Sequence, residues 1–394
     1  MESRETMSVE FSRSFSIGPR ADWVIAHNRE GREVVAAYEA DKPIRVPLFG
    51  GEWPGQHGFY ADETGLDYRE YYTNPDEMLR VQLEAARRRR ELAICDWVLA
   101  EPPQAWNVAV DLWPVVAPGW VGCRLVYRED AVIAHEGRHL AKEECDAMAM
   151  PDPVTGGILA TVGRFWKYLC EKYGGFRFLG RPLAPIASGV GTNGFFSLAL
   201  DIRGEEVMAD MYDDPAFAHR FLERTATWTE ELGRTWRCLA GEGDTPAPFT
   251  LFDHGVDMLS PRLYEEFIVP IIHEMNRRNG TPLPNALHHC GRGAHLFPVM
   301  QRHFPLKSID ALTFPLNDVA KVRRDLGEKV WIMAFIADSL VQAGPAGKIR
   351  EAVREIMKAK GKGRFALQLG DMLPGTPMDH RMALYEAVKE YGRY

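Results

Sequence analysis

The chain has 394 residues, 46% of them hydrophobic and 26% charged, a balance that excludes disordered, collagen-like and coiled-coil chains. Lys and Arg total 47 against 55 Asp and Glu, a formal net charge of −8, which speaks against nucleic-acid binding because that needs surplus positive charge. No apolar run reaches the ~18 residues of a membrane-spanning helix, and the N-terminal MESRETMSVEFSRSFS lacks the apolar core of a secretory signal. The expected location is therefore the cytoplasm, with no membrane partner.

In chain order, residues 1 to about 100 read as an N-terminal helical extension packed on the main body. The first 150 residues are rich in Trp and Pro and contain an arginine run, Arg87 to Arg90, read as the solvated end of a helix. His57, in GQHGFY, is placed as a cover over the pocket. A first strand is expected to end near Asp111. The Gly-rich ASGVGTNGF, 187–195, is either a plain strand-to-helix loop or a place where backbone approaches a ligand closely. Glu205 to Gly241 carries helical spacing interrupted at Asp213-Asp214-Pro215, so two helices are expected.

The second half alternates more legibly. Pro246 to Phe252, Leu283 to Cys290, Leu306 to Phe314, Val330 to Ile336 and Phe365 to Leu369 read as strands. Between and after them, Ser260 to Asn279, Gly293 to Phe304, Asp318 to Leu326, Ala346 to Lys360 and Pro377 to Tyr391 read as helices. Ser260 is an N-cap, Pro261 fits the first helical position and Gly280 is a stop. Such a βα series implies a parallel sheet covered by helices. No GxGxxG follows an early strand, which disfavours an open dinucleotide-binding sheet. The expected architecture is a single (β/α)8 TIM barrel over residues 1–394 with an N-terminal helical elaboration.

The six cysteines are scattered and form no CxxC pair, so most are expected to be small buried hydrophobes. The exception is the segment Leu287-His288-His289-Cys290-Gly291. Side chains alternate along a strand, so His288 and Cys290 share one face and His289 takes the other. An imidazole and a thiolate on one face, at the end of a barrel strand that opens into the active site, can bind one Zn²⁺. By itself the pattern fits a buried histidine beside a buried cysteine better than a metal site. Asp111 and Asp253 also stand at strand ends. Asp111 is either an acid, base or substrate-orienting group or a cap for the next helix; Asp253 and His254 either support or contact a ligand or form a turn and helix entry, and Asp111 and Asp253 are the catalytic candidates.

The chain resembles the uroporphyrinogen decarboxylase superfamily over most of its length. The resemblance rests on FFSLALDIRGEEVMADMYDDP, SPRLYEEFIVPII, LHHCG and GDMLPGTPMDHRMALYEAVKEYGRY, in that order. It implies a (β/α)8 barrel with its pocket at the C-terminal mouth. The arginine-rich N-terminal segment of the decarboxylases is missing from VPLFGGEWPGQHGFYAD. The HxCG motif is instead similar to that of the cobalamin-dependent methyltransferase branch, where the His, the Cys and a later cysteine hold a catalytic zinc. Here the later position is Asp371, in Gly370-Asp371-Met372-Leu373-Pro374. The resemblance thus implies a site of His288, Cys290 and Asp371, with Asp111 in the place of the decarboxylases' central aspartate. A carboxylate in place of a thiolate makes a harder Lewis acid, suited to an ether oxygen.

The implied function is transfer of a methyl group between a small-molecule methyl donor, such as an aryl methyl ether, and the cobalamin of a separate corrinoid protein. The competing readings are a metal-independent decarboxylase-like lyase and a non-catalytic binding module on the same barrel.

Overall fold

The computed structural model of the protein describes residues 10–50, 65–245, 250–370 and 372–394. Ten strands are labelled here in chain order. Six of them form one parallel sheet: β1 (Leu48–Phe49), β6 (Leu251–Phe252), β7 (Ala286–His288), β8 (Ser308–Phe314), β9 (Trp331–Ile336) and β10 (Phe365–Gln368), in the order β1-β10-β9-β8-β7-β6. The other four pair as two hairpins, β2 (Arg124–Val126) with β3 (Ala134–Glu136) and β4 (Arg177–Phe178) with β5 (Arg181–Pro182).

Two extended segments complete the ring. Trp106 bridges Leu183 and Ala109 bridges Ala187, both in parallel, so 106–111 and 183–187 lie between β1 and β6 in the chain order of a (β/α)8 barrel. A side-chain clamp holds the first segment, and a backbone hydrogen bond holds the loop after the second. Gln82, on the helix Pro75–Arg89, clamps Ala109 by donating to its carbonyl and accepting from its N–H, both at 2.9 Å. On the other side the His254 N–H donates to the Asn193 carbonyl at 3.3 Å.

The helices follow from their sequences. Asp214 caps Pro215–Leu239 by accepting from the Phe217 N–H, which ends Glu206–Asp213 and starts the next helix with proline at the first position. Ser260 caps Pro261–Leu263, and Gly280 closes Val269–Asn279 in the left-handed conformation, as expected. Between these two helices runs a π turn, Tyr264–Ile268. Pro270 has no N–H for the carbonyl four residues back, so the ladder is re-registered there. The helix Ala346–Ala359 buries Ile349, Val353, Ile356 and Met357 along one stripe.

Three expectations change. The sheet begins at β1, well before Asp111, so the first barrel strand lies inside the segment read as extension. Two residues between Pro47 and Gly50 are too short a run for alternation to reveal. The arginine run is not a solvated helix end: Arg89 is buried, Arg87 pairs with Glu84 and Glu91, and Arg90 lies over the Trp106 ring at 5.8 Å. Strand β7 is shorter than read, because Pro282 and Pro284 remove ladder donors just ahead of it. Cys95, Cys123 and Cys145 are buried as expected, while Cys170, Cys238 and Cys290 are exposed. No helix among the described residues is long and apolar enough to cross a membrane.

Candidate metal centre

The sheet register places Phe252 opposite His288 and His288 opposite Asp310, so three neighbouring strands present one lateral row. Leu251, Leu287 and Ile309, one residue earlier on each strand, are buried. The row is therefore the alternate face, as period-two geometry requires. His288 Nδ1 lies 2.5 Å from Asp310 Oδ1. A bulge next to Asp310, with Ala311 at φ 58°, shifts the register between Ile309 and Leu312 and aims this part of β8.

Past the strand ends, the chain turns and brings in two more groups. Cys290 Sγ lies 3.2 Å from His254 Nδ1. One ligand atom each from His254, His288 and Cys290 falls within 4.8 Å of the others. Two imidazoles and a thiol at this spacing are a donor set of the kind that holds zinc. The electrostatics fit the same use. Burial pushes the Cys290 thiol up, but hydrogen bonds from His254 and His288 outweigh it and hold the thiol at about 6. Burial pulls His288 down, yet Asp310 and Cys290 outweigh it and hold the imidazole at about 9. Asp310 also occupies Nδ1, so Nε2 is the nitrogen that faces Cys290 and would ligate a metal on losing its proton, the arrangement by which carboxylates orient metal-ligating histidines.

His288 and Cys290 thus meet on one face, as the strand alternation predicts. His289 takes the other face: it is 1% exposed, its Nε2 has no hydrogen-bond partner among the described residues, and burial holds it down at about 4. Asp371, the expected third ligand, lies outside the described residues, as does His57. Among the described residues the third donor is His254. Sequence reasoning reached it only as a neighbour of Asp253, and missed Asp310 altogether. A carboxylate on the next strand, at the register position of His288, becomes visible only once pairing is known.

The two candidate carboxylates have distinct surroundings. Asp253 accepts from the N–H groups of Phe196 (2.8 Å), Ser197 (3.1 Å) and Gly255 (3.2 Å) and from Ser197 Oγ (2.7 Å). Burial pushes its carboxyl up to about 6 against the pull of these donors. Its visible task is to hold the start of the helix Phe195–Arg203 and the turn that carries His254. Gly194 lies against that carboxylate at φ 102°, where a Cβ would overlap it, so the Gly-rich stretch serves close packing at this point. Asp111 is 4% exposed, accepts from the Tyr71 hydroxyl at 2.6 Å and lines a cavity of about 920 Å³ together with Trp113 and Ser188. Trp113 packs edge-on to Phe252 at 5.9 Å, and Phe252 contacts the rings of both His254 and His288 at 4.8 and 4.7 Å. Aromatic surface therefore runs from the cavity to the donor cluster.

The sequence profile of the uroporphyrinogen decarboxylase (URO-D) family matches residues 33–391. The chain belongs to the URO-D family. No curated protein matches it. Among solved structures it is similar to a methyltransferase from Methanosarcina mazei, at 18% identity and a TM-score of 0.61, over 92% of this chain and 98% of that one. That likeness concerns the fold, which is the URO-D barrel. The donor cluster sits where such a barrel opens, at the C-terminal ends of β6 and β7.

Proposed function

We propose that this URO-D family protein is a zinc-dependent methyltransferase that moves a methyl group between a small methylated compound and the cobalamin of a separate corrinoid protein. The observation that carries the reading is the His254, His288 and Cys290 cluster, braced by Asp310 at the barrel mouth. These three side chains would hold the metal. Bound there, zinc supplies Lewis-acid polarisation of the donor's heteroatom.

The chain's own residues do the rest. Cys290, with a thiol held at about 6, offers a thiolate at neutral pH. Asp310 fixes the ring plane and tautomer of His288. Phe252 and Trp113 give the approach an aromatic wall, which favours an aryl methyl ether as the methyl compound. Asp111, held by Tyr71, is placed to accept a hydrogen bond from a polar group of a compound in the cavity. No side chain in the described cavity is nucleophilic enough to take a methyl group from an ether, which is why the acceptor is assigned to the corrinoid partner.

The test is elemental analysis of the purified protein beside Cys290→Ser, His254→Ala and Asp371→Ala variants, followed by assay of methyl transfer to Co(I) cobalamin. The expected result is close to one zinc per chain, lost in the Cys290 and His254 variants, with transfer dependent on it. Absence of bound zinc after reconstitution would overturn the reading and favour a metal-independent, decarboxylase-like lyase on the same barrel. Loss of zinc in Asp371→Ala with retention in His254→Ala would move the third ligand to Asp371.

A further inference from the structure

The turn after Cys290 is held from two sides, by residues that follow the two strands neighbouring β7. It comprises residues 291–296 and leads into the helix Phe297–His303. Two glycines let it pack closely. A Cβ on Gly291 would overlap the Asp257 carboxylate, and one on Gly293 would overlap the His289 ring.

On the β6 side the turn meets the short helix His254–Met258, whose first residue is a donor of the cluster. The Arg292 N–H donates to Asp257 Oδ2 at 3.2 Å, and His295 Nε2 lies 2.9 Å from the Leu259 carbonyl oxygen.

On the β8 side stands Asn317, three residues past the end of that strand and 3% exposed. Its amide engages three backbone groups. Nδ2 donates to the Gly291 carbonyl at 2.8 Å and to the Thr313 carbonyl at 3.2 Å, and Oδ1 accepts from the Ala294 N–H at 3.1 Å. A flipped amide would set its oxygen against two carbonyls and its nitrogen against an N–H, so the orientation is fixed by its partners. Gly291 directly follows Cys290, and Thr313 lies on β8 three residues after Asp310. The strand that braces His288 through Asp310 therefore also grips the Cys290 turn through Asn317. Cys290 itself lies two residues past the end of β7. The turn that follows it, and not the ladder, sets where Sγ stands at 3.2 Å from His254 Nδ1.

We propose that Asn317 is a positioning residue of the donor cluster: it ties the Gly291–Ala294 turn to the end of β8 and so sets Cys290 Sγ against His254 and His288. The inference rests on the proposed metal reading and extends it to a residue that acts on the donors through the backbone of the turn. A buried amide bonded at both ends fixes the separation of two backbone segments, and its loss leaves two carbonyls and an N–H without their partner.

The experiment compares the full-length wild type with Asn317→Ala, the isosteric Asn317→Asp and Asn276→Ala. Asn276 is the control. It is also 3% exposed, and its amide bonds the Ile272 carbonyl and the Thr281 hydroxyl on and just after the helix Val269–Asn279. Two readouts are taken. Hydrogen exchange of the metal-free protein, followed by mass spectrometry, reports the turn. Titration with Co²⁺ reports the cluster through its thiolate charge-transfer and ligand-field bands. Peptides covering 291–296 should exchange faster in both Asn317 variants. Their Co²⁺ affinity should fall about tenfold or more, with a weaker or shifted thiolate band. Asn276→Ala should change neither readout, which separates positioning from general loosening. If Asn317→Ala does not fold, Asn317→Asp carries the test, because it keeps the acceptor for Ala294 and sets an oxygen against the two carbonyls. Unchanged exchange of the turn would overturn the proposal. So would an unchanged Co²⁺ affinity and spectrum, or the same changes in Asn276→Ala. A wild type that takes up neither Co²⁺ nor Zn²⁺ overturns the metal reading and this inference with it. Uptake by wild type that the Asn317 variants match overturns this inference alone.

Discussion

His288 and Asp310, on adjacent parallel strands and in register, share a hydrogen bond of 2.5 Å between Nδ1 and Oδ1. The bond selects the tautomer, raises the basicity of the ring and turns Nε2 outward. Replacing Asp310 by Ala should cost about 10–100-fold in zinc affinity while leaving the three donors in place. Competition against a chelator of known affinity measures this, and an unchanged affinity would remove Asp310 from the site.

Cys290 should be the most reactive thiol of the metal-stripped protein near neutral pH. Its thiol is held at about 6, whereas burial pushes that of Cys170 up. Alkylation by iodoacetamide should rise through about pH 6 at Cys290 and only at higher pH at Cys170. Peptide mapping reads both positions. Added zinc should protect Cys290, and His254→Ala should shift its profile to higher pH. Equal labelling of the two cysteines at pH 7 would contradict the cluster.

Asp96 and Arg45 form a buried pair, 3% and 6% exposed, with two contacts of 2.9 and 2.5 Å. Asp96→Ala would leave the buried guanidinium only Glu30, at 3.1 Å and partly exposed, as a carboxylate partner, and would strip the Leu48 N–H and the Tyr385 hydroxyl of their acceptor. The expected loss is about 3–5 kcal/mol of stability, measured by urea unfolding. A loss below ~1 kcal/mol would show that the guanidinium finds water or another partner.

Gly194→Ala should destabilise by roughly 1–3 kcal/mol, because φ 102° strains any L side chain. The overlap with the Asp253 carboxylate should also displace the turn bearing His254. The same variant is therefore expected to hold zinc more weakly, a pairing that simple surface damage would not produce. Urea unfolding and zinc content, taken on one preparation, check both.

His135 on β3 pairs with Asp201 at 2.8 Å, and the hydrogen bond raises the imidazole above its usual value of 6.5. A raised histidine stabilises the fold fully below about pH 6.5 and loses that contribution as pH climbs through the folded value. His135→Gln should therefore cost more stability at pH 5.5 than at pH 9, by at most about 1 kcal/mol for so accessible a pair. A difference independent of pH would place the effect in packing.

Legibility in the sequence tracked burial pattern and local chemistry. Strands β8 and β9 and the helix Ala346–Ala359 are apolar enough, and long enough, for period two or 3.6 to stand out. The cap residue Ser260 could be placed because its side chain acts on backbone a few residues away, whereas Asp214 and Asp318 read in the sequence only as a helix break and a helix start and prove to be caps. Strand β1 could not, having two residues and its partner β10 more than three hundred positions on. The same limit governs the site. His288 and Cys290 are legible because they are local to one strand end, whereas Asp310 and the approach of His254 depend on register between strands. The Gly-rich stretch reads in the sequence as either a plain strand-to-helix loop or a close approach to a ligand, and the close approach at Gly194 is to a capping carboxylate.

Asp96 receives Arg45 and the Leu48 N–H from the start of the ring and the Tyr385 hydroxyl from the final helix, Met378–Tyr391. The first and last pieces of the barrel are thus joined at one carboxylate. During synthesis, β6 to β9 emerge in the order in which they pair, so the edge bearing His254, His288 and Asp310 can assemble while the chain is still growing. The ring itself cannot shut until β10, which pairs with β1, has left the ribosome. A ribosome stalled a few codons early would hold a protein with a formed mouth and an open wall.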